Sequence, residues 1–345
     1  MINLVHCFGK NILDTSGENP HNGFMANSEP RTLTDAVVYF SNPDNCLSYL
    51  VARRWPNGVT CPTCGSKDVG FVASRRVWQC KTRHSKAQFS VKLGTIFEDS
   101  PLGLDKWLPA MWMIASDRNG ISSWELHRAL GVTQKTAWFM LHRIRLAMQD
   151  EKTGGKLSGE VEIDETFIGG KARNMHKNRK TRALEGKGGG KVGKIGVQGM
   201  LERGGKIRTA IIPDSQAGTL VPNIRENVEA GSHVFTDELR SYFGLQANYA
   251  HEVINHAEAY VQGNVHTNGL ENFWSLLKRG LNGTYVSVEP FHLFRYVDEQ
   301  AFRYNNRKPM DDAERFSFLV RKVVGKRLTY AELTGKVGGT QPEAF

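Results

Sequence analysis

Val161-Glu162-Ile163-Asp164 alternates apolar and polar residues, the period of a half-buried β-strand, and closes on an acid. The pattern around it is built from the same short pieces. Lys191 to Leu201 and Lys206 to Pro213 read as two more strands, joined at Gly204-Gly205 in a hairpin turn. His233-Val234-Phe235 and Tyr249 to Ile254 read as further short strands. Helical patterns cover Gly218 to Glu229, Leu239 to Leu245, Asn268 to Leu281 and Pro290 to Asn305. This mixture predicts an α/β domain over 158–320, a mixed sheet with flanking helices.

Outward from that domain, the chain has 345 residues, enough for two or three domains at roughly 150 residues each. Apolar residues make up 40% and charged residues 23%, which excludes collagen-like, mucin-like and wholly disordered chains. The longest apolar stretch, Trp107 to Ala115, is far short of the ~20 residues of a membrane helix. Lys10 is the only early cation and no long apolar segment follows it, so a cytoplasmic, nucleoid-associated protein is expected. Lys and Arg exceed Asp and Glu by 45 − 35 = +10, a field that favours a polyanion, nucleic acid first. Five cysteines, without secretory context, argue for a reducing compartment and thiols available to metal.

Residues 1–30 are polar and read as a loose tail, and 321–345 as another. Helices and a cysteine-rich segment occupy 31–98. There Cys61-Pro62-Thr63-Cys64 is followed, after a gap of fifteen, by Cys80 and then His84. Two thiolates on a tight knuckle and a second pair from a hairpin suit a closed, tetrahedral, structural Zn2+ site that folds a domain too small to hold itself. Cys7 and Cys46 have no partners at ligand spacing.

Residues 99–152 read as helices broken at Asn119-Gly120 and at Gly131. From Ile121, a short helix capped by Ser123, a turn at Gly131 and Thr133 opening a second helix over Gln134 to Met148 make a helix-turn-helix pattern. Gln134, Lys135 and Thr136 would begin the recognition helix, and Arg143 and Arg145 could reach phosphates. The segment from Lys171 to Lys194 cannot bury a core. Lys171, Arg173, Lys177, Arg179, Lys180 and Arg182 make it a basic loop suited to phosphate contact.

Three acids stand out by context. Asp164 ends the first strand, Asp237 follows the short apolar strand, and Glu271 opens a helix. Such acids can converge at one sheet edge, where their repulsion calls for divalent cations, and oxygen ligands suit Mg2+ or Mn2+. Two such ions can drive an in-line displacement at phosphorus. Glu162 and Glu165 compete with Asp164, and alternation puts Glu162 on the same strand face as Asp164. Lys278 lies two helical turns beyond Glu271 on the same side, placed to meet a phosphate, with Arg279 its less aligned neighbour. His266 and Asn268 precede the acid and could orient it or touch DNA.

The ordered strings Arg53-Arg54-Trp55-Pro56-Asn57-Gly58-Val59-Thr60-Cys61-Pro62, Gly94-Thr95-Ile96-Phe97, Glu162 to Lys171, Thr236-Asp237 and His266 to Arg279 resemble bacterial insertion-sequence transposases with an N-terminal zinc ribbon and a DDE catalytic domain, the ISXO-type group. The resemblance spans about residues 31 to 320. It implies an RNase-H-like fold, with Asp164, Asp237 and Glu271 as the metal-holding catalytic acids and Lys278 as the accompanying lysine. It favours Asp164 over Glu162. It also implies cutting of double-stranded DNA at element ends and strand transfer into a target, without a covalent protein–DNA intermediate. Acting on two ends implies a homodimer or larger assembly. The group's last zinc ligand is usually the second cysteine of another C-x2-C; here Arg83 stands at that spacing and His84 one beyond.

Overall fold

A computed structural model describes residues 29–150, 155–170, 193–237, 239–254 and 266–336. The basic loop expected at 171–194 and the polar tail at 1–30 fall almost wholly outside these residues, as do its six named cations and Cys7.

The N-terminal part begins with α1 (Leu33–Phe40) and α2 (Pro43–Arg54). Thr32 and Asp35 form a reciprocal capping box on α1, and Asn42 with Pro43 at the first turn starts α2. A three-stranded antiparallel sheet follows: β1 (Val69–Val72), β2 (Val77–Cys80) and β3 (Gln88–Phe89). The apolar run from Trp107 lies in α3 (Leu104–Ser116), which is buried along most of its length. Next come α4 (Ser123–Leu130) and α5 (Gln134–Met148). Gly131 closes α4 at φ +65°, a left-handed value that only glycine adopts without strain, and Thr133 caps α5. The helix-turn-helix-like pattern is present, but Ser122, in a reciprocal capping box with Glu125, caps α4 in place of Ser123, which is the first residue of the helix. No helix among the described residues is long and apolar enough to cross a membrane.

The α/β part contains β4 (Glu160–Ile168), β5 (Ile195–Glu202), β6 (Ile207–Ile212), α6 (Ala217–Asn227), β7 (His233–Asp237), β8 (Ala250–Ile254), α7 (Asn268–Arg279), α8 (Leu293–Asn306), α9 (Asp312–Arg321) and α10 (Tyr330–Leu333). Its sheet runs β6-β5-β4-β7-β8; the first three strands are antiparallel, while β7 is parallel to β4 and β8 to β7. Alternation sorts β4 cleanly. Val161 and Ile163 join Met200, Leu220 and Ile224 in the core under α6, and the even-numbered residues turn to the face covered by α7 and α8. The helix expected over Leu239 to Leu245 is instead two 3-10 turns, Arg240–Tyr242 and Leu245–Ala247. Each turn buries one residue, Tyr242 in the first and Leu245 in the second.

Two further expectations are corrected. Residues 321–336 are not a tail. Phe316, Leu319 and Val320 form a helical stripe that needs burial, and with Val323 just past the helix they join one core with α1, α2, the ribbon and α3 to α5. Phe316 meets Phe40, Tyr49 and Trp112 at ring separations of 5.7, 5.6 and 4.8 Å. Neither 98/99 nor 320/321 is a boundary in that core. The second correction concerns Arg143 and Arg145, which were expected to reach phosphates. Both are buried, because α5 packs its arginine side inward. Arg143 donates to the carbonyls of Ile96, Glu98 and Leu328. Arg145, 1% exposed, donates at 2.6 Å to Glu299 of α8, itself fully buried. Arg303 and the Tyr285 hydroxyl donate to the other Glu299 oxygen.

Removing one member of a buried ion network strands the remaining charge. Arg145→Ala is expected to lower the unfolding free energy by about 3–5 kcal/mol, read as a drop in the urea midpoint. An unchanged midpoint would mean that Arg303 alone satisfies Glu299.

Candidate functional site

The knuckle carrying Cys61 and Cys64 is closed by backbone bonds, Gly65 N–H to Cys61 O at 2.8 Å and Cys61 N–H to Ser66 O at 2.9 Å. Gly65 sits at φ +74°. β2 brings up Cys80, and the turn after it brings His84. One donor atom from each of Cys61, Cys64, Cys80 and His84 lies within 4.8 Å of all the others. Cys61 Sγ is 3.5 Å from His84 Nε2, and Cys64 Sγ 3.6 Å from Cys80 Sγ. His84 Nδ1 is 2.7 Å from the Ser85 carbonyl, which fixes the ring and leaves Nε2 to face the thiols. Burial opposes a thiolate at Cys61, but the N–H groups of Cys64 and Thr63 outweigh it and bring that thiol down to about 6. Three thiols and an imidazole at this spacing support a structural zinc ion, with His84 rather than Arg83 as fourth ligand. Cys46 is no ligand: it donates to the Phe40 carbonyl, and burial pushes it up to about 12. One zinc per chain should be released by a strong chelator with a fall in melting temperature, and Cys61→Ser should bind none. A Cys61→Ser protein that melts like the parent would sink the structural role.

The acids lie at the other part of the molecule. In the parallel β4–β7 pair, Glu162 is opposite Phe235. Two residues further along each strand are Asp164 and Asp237, so parallel register sets both on one face at the same sheet edge. Asp237 Oδ1 accepts from Leu239 N–H at 3.1 Å. The Thr236 hydroxyl is 2.9 Å from the Asp237 carbonyl and 2.8 Å from His251 Nε2, which steadies the strand end. α7 crosses this face. Its Trp274 indole N–H donates to Asp164 Oδ2 at 2.9 Å, and Glu271 is exposed in its first turn. Burial pushes the Asp164 carboxyl up to about 6; the Trp274 bond opposes this, and the charges of Asp237 and Glu271 add to it. The three carboxylates are thus electrostatic neighbours. They are more loosely spaced than the zinc ligands, whose set alone among the described residues packs its donors within 4.8 Å.

Glu162, the competitor of Asp164, has a different occupation. It is 1% exposed; Oε1 accepts from Arg203 Nε at 3.0 Å and Oε2 from Leu270 N–H at 3.1 Å. His266 Nδ1 lies 3.3 Å from Oε1, and Arg203 also donates to the His266 carbonyl, so His266 belongs to this tether. Asn268, Lys278 and Arg279 are exposed on α7. In α5, Gln134 donates to the Ser123 hydroxyl, Lys135 stands 4.6 Å over the Tyr330 ring, and Thr136 shares the Thr133 cap.

Sequence reasoning missed Arg203, Gly199 and Gly269. Gly199 is the in-register partner of Asp164 on β5. A Cβ there would stand 2.7 Å from the Trp274 ring, and one at Gly269 2.8 Å from Glu162 Oε2. The glycines clear space for the helix on the strands. Only the register could have revealed Gly199.

The raised carboxyl has a stability consequence with a definite sign. Asp164 ionises near 3.8 when unfolded and about 6 when folded. Its penalty is absent below pH 4, grows between 4 and 6, and is complete above 6. Asp164→Asn should therefore stabilise the metal-free protein by roughly 2–3 kcal/mol above pH 6 and by nothing below pH 4. Parallel melting curves of the two proteins across that range check this.

The family of ISXO2-like transposase domains matches residues 156–305, and that of transposase zinc-ribbon domains matches residues 41–82. A Halobacterium salinarum protein described as an uncharacterized protein in transposable element ISH50 is 30% identical over 257 residues, 71% of this chain and 85% of its own length. An uncharacterized transposase-like protein of Haemophilus influenzae is 36% identical over 102 residues, 29% of this chain and 82% of its own. No solved structure matches the chain. With family models matched over both the ribbon and the acidic sheet, and a relative 30% identical over 85% of its length, the chain belongs to the ISXO2-like transposases, a zinc ribbon and helical segment preceding an RNase-H-like domain.

Proposed function

We propose that this protein is the DNA transposase of an insertion sequence, cutting the element's ends and transferring the cut strands into target DNA. The observation that carries the reading is the state of Asp164, a buried carboxyl pushed up to about 6 with Asp237 and Glu271 acting on it across one sheet edge. A site that concentrates negative charge in this way gains from divalent cations, and carboxylate oxygens suit Mg2+ or Mn2+. Asp164, Asp237 and Glu271 would hold them. When bound, such ions activate a water or 3′-hydroxyl and stabilise the leaving oxygen of a phosphodiester. Trp274 orients Asp164, and Glu162, occupied by Arg203 and α7, serves as an anchor. Lys278, exposed two turns along α7, would meet a phosphate beside the acids. The ribbon, the start of α5 at Gln134, Lys135 and Thr136, and the basic segment with Lys171, Arg173, Lys177, Arg179, Lys180 and Arg182 would hold double-stranded DNA. Exposed Asn268 and Arg279 would add contacts near the acids. Engaging two ends would need a homodimer or larger assembly.

Purified protein incubated with element-end DNA and Mn2+ should produce defined cuts that EDTA abolishes. A pre-cut end with a 3′-hydroxyl should yield joined product. Asp164→Asn should bring cleavage below detection while binding DNA as before. Cleavage by that variant at the parental rate would overturn the catalytic assignment. Cuts without joined product would reduce the protein to a hydrolase, and binding without cuts to a regulator.

A further inference from the structure

Two clefts open side by side at the C-terminal end of α8. One, of about 550 Å3, lies between the β5–β6 hairpin and the start of α7, with Lys206 and Gly269 in its wall. The other, of about 660 Å3, lies between the end of α3 and helices α7, α8 and α9, with Arg118 and Asn272 in its wall. Tyr304, Arg307 and Lys308 line both and form the ledge between them.

The ledge is firm. Tyr304 packs edge-on against Phe273 at 5.3 Å, its hydroxyl is 3.4 Å from the Gly269 carbonyl, and the Arg307 guanidinium lies 3.5 Å over its ring. The charge is unbalanced. Arg303 and Arg315 in the second cleft are committed to Glu299 and Asp312. Arg118, Lys206, Arg307 and Lys308 make no ion pair among the described residues. Two acids without an ion pair among the described residues, Asp117 and Glu202, also line the clefts, so four cations face two anions. The clefts follow the helix that carries Glu271: Gly269 lines the first, and Asn272 and Leu276 the second. Residues 269, 272 and 276 share one side of α7, about 100–160° round from Glu271.

We propose that the two clefts and the Tyr304–Arg307–Lys308 ledge form one track for the phosphate backbone of duplex DNA alongside the acidic edge. The inference rests on the transposase reading and assigns the substrate's flank to a surface. Arg307 and Lys308 each neutralise a phosphate there; Tyr304 holds Arg307 in place.

The test uses full-length protein and fluorescence anisotropy on an element-end duplex over a salt series. The proteins are wild type, Arg307→Gln/Lys308→Gln, Arg307→Lys, and Arg225→Gln on α6 across the sheet. The double variant should lose at least tenfold in affinity, with a slope of log affinity against log salt shallower by about 1.8, or ~0.9 for each phosphate no longer neutralised. Arg307→Lys should keep the wild-type slope, and Arg225→Gln should keep both slope and affinity. An unchanged slope in the double variant, or an equal loss in Arg225→Gln, would overturn the track. So would inorganic phosphate that raises the melting temperature of wild type but not of the double variant while leaving their DNA slopes equal, since that is a small-anion site. If wild type makes no Mn2+-dependent cuts but the slope difference persists, the catalytic reading fails and the track stands.

Discussion

The arrangement of the acidic edge depends on one buried carboxylate that takes no place in it. Glu162 projects from β4 and accepts the backbone N–H of Leu270 in the first turn of α7. The helix's own N-cap, Thr267, makes no side-chain capping bond, so a strand residue 108 positions away does that work. The Glu162 carboxylate stands at the positive end of the helix, and Arg203 balances its charge at 3.0 Å. Docking the start of α7 on β4 sets where every later residue of the helix falls. Trp274 then comes down over Gly199 onto Asp164, and Glu271 faces the same edge. A side chain at Gly199 or Gly269 would hold the helix off the sheet.

Much of the fold was legible because its signals are local. Period-two alternation marked β4, the Gly204-Gly205 turn marked the β5–β6 hairpin, and Gly131 and Thr133 marked the end of α4 and the start of α5. The ribbon was legible for a similar reason, since ligand spacing is local along the chain even where His84 departs from a regular C-x2-C. What stayed hidden depends on distant partners. Asp164 and Glu162 share a strand face, so strand phase could not rank them; the arrival of Leu270 and Arg203 separates their roles. Arg143 and Arg145 read as surface cations on an amphipathic helix, and nothing nearby in sequence says that Glu299 lies buried beside Arg145. Phe316, Leu319 and Val320 form a stripe on a short helix with Val323 just beyond its end, but only the packing shows that they complete the N-terminal core.

The Arg145–Glu299 network also explains why the helical segment and the sheet form one frame. α5 belongs to the N-terminal core, while α8 packs on the sheet through Tyr296, Val297 and Ala301. A buried cation on one helix and a buried anion on the other permit one relative placement; a purely apolar contact would tolerate sliding. Desolvation makes the pair a weak source of net stability. Gly120 leaves no room for a side chain beside Tyr285 and Glu299, so the break before α4 is pressed against the same network.

That frame bears on how a polyanion can approach three carboxylates. A net charge of +10 attracts a polyanion at long range, but the edge holding Asp164, Asp237 and Glu271 repels phosphate at short range. Cations bound by the acids would reverse that sign locally, yet they act over only a few ångströms. On the transposase reading, binding energy must come from basic surface held rigidly beside the edge and not within it. α7 and α8 meet this requirement. α7 carries Glu271 near its start and Lys278 near its end, and the last turn of α8 places Arg307 and Lys308 against its flank. Because Glu162 fixes α7 and Glu299 fixes α8, attraction and repulsion are set at a constant offset, and a backbone held on the basic flank would meet the acids in one register.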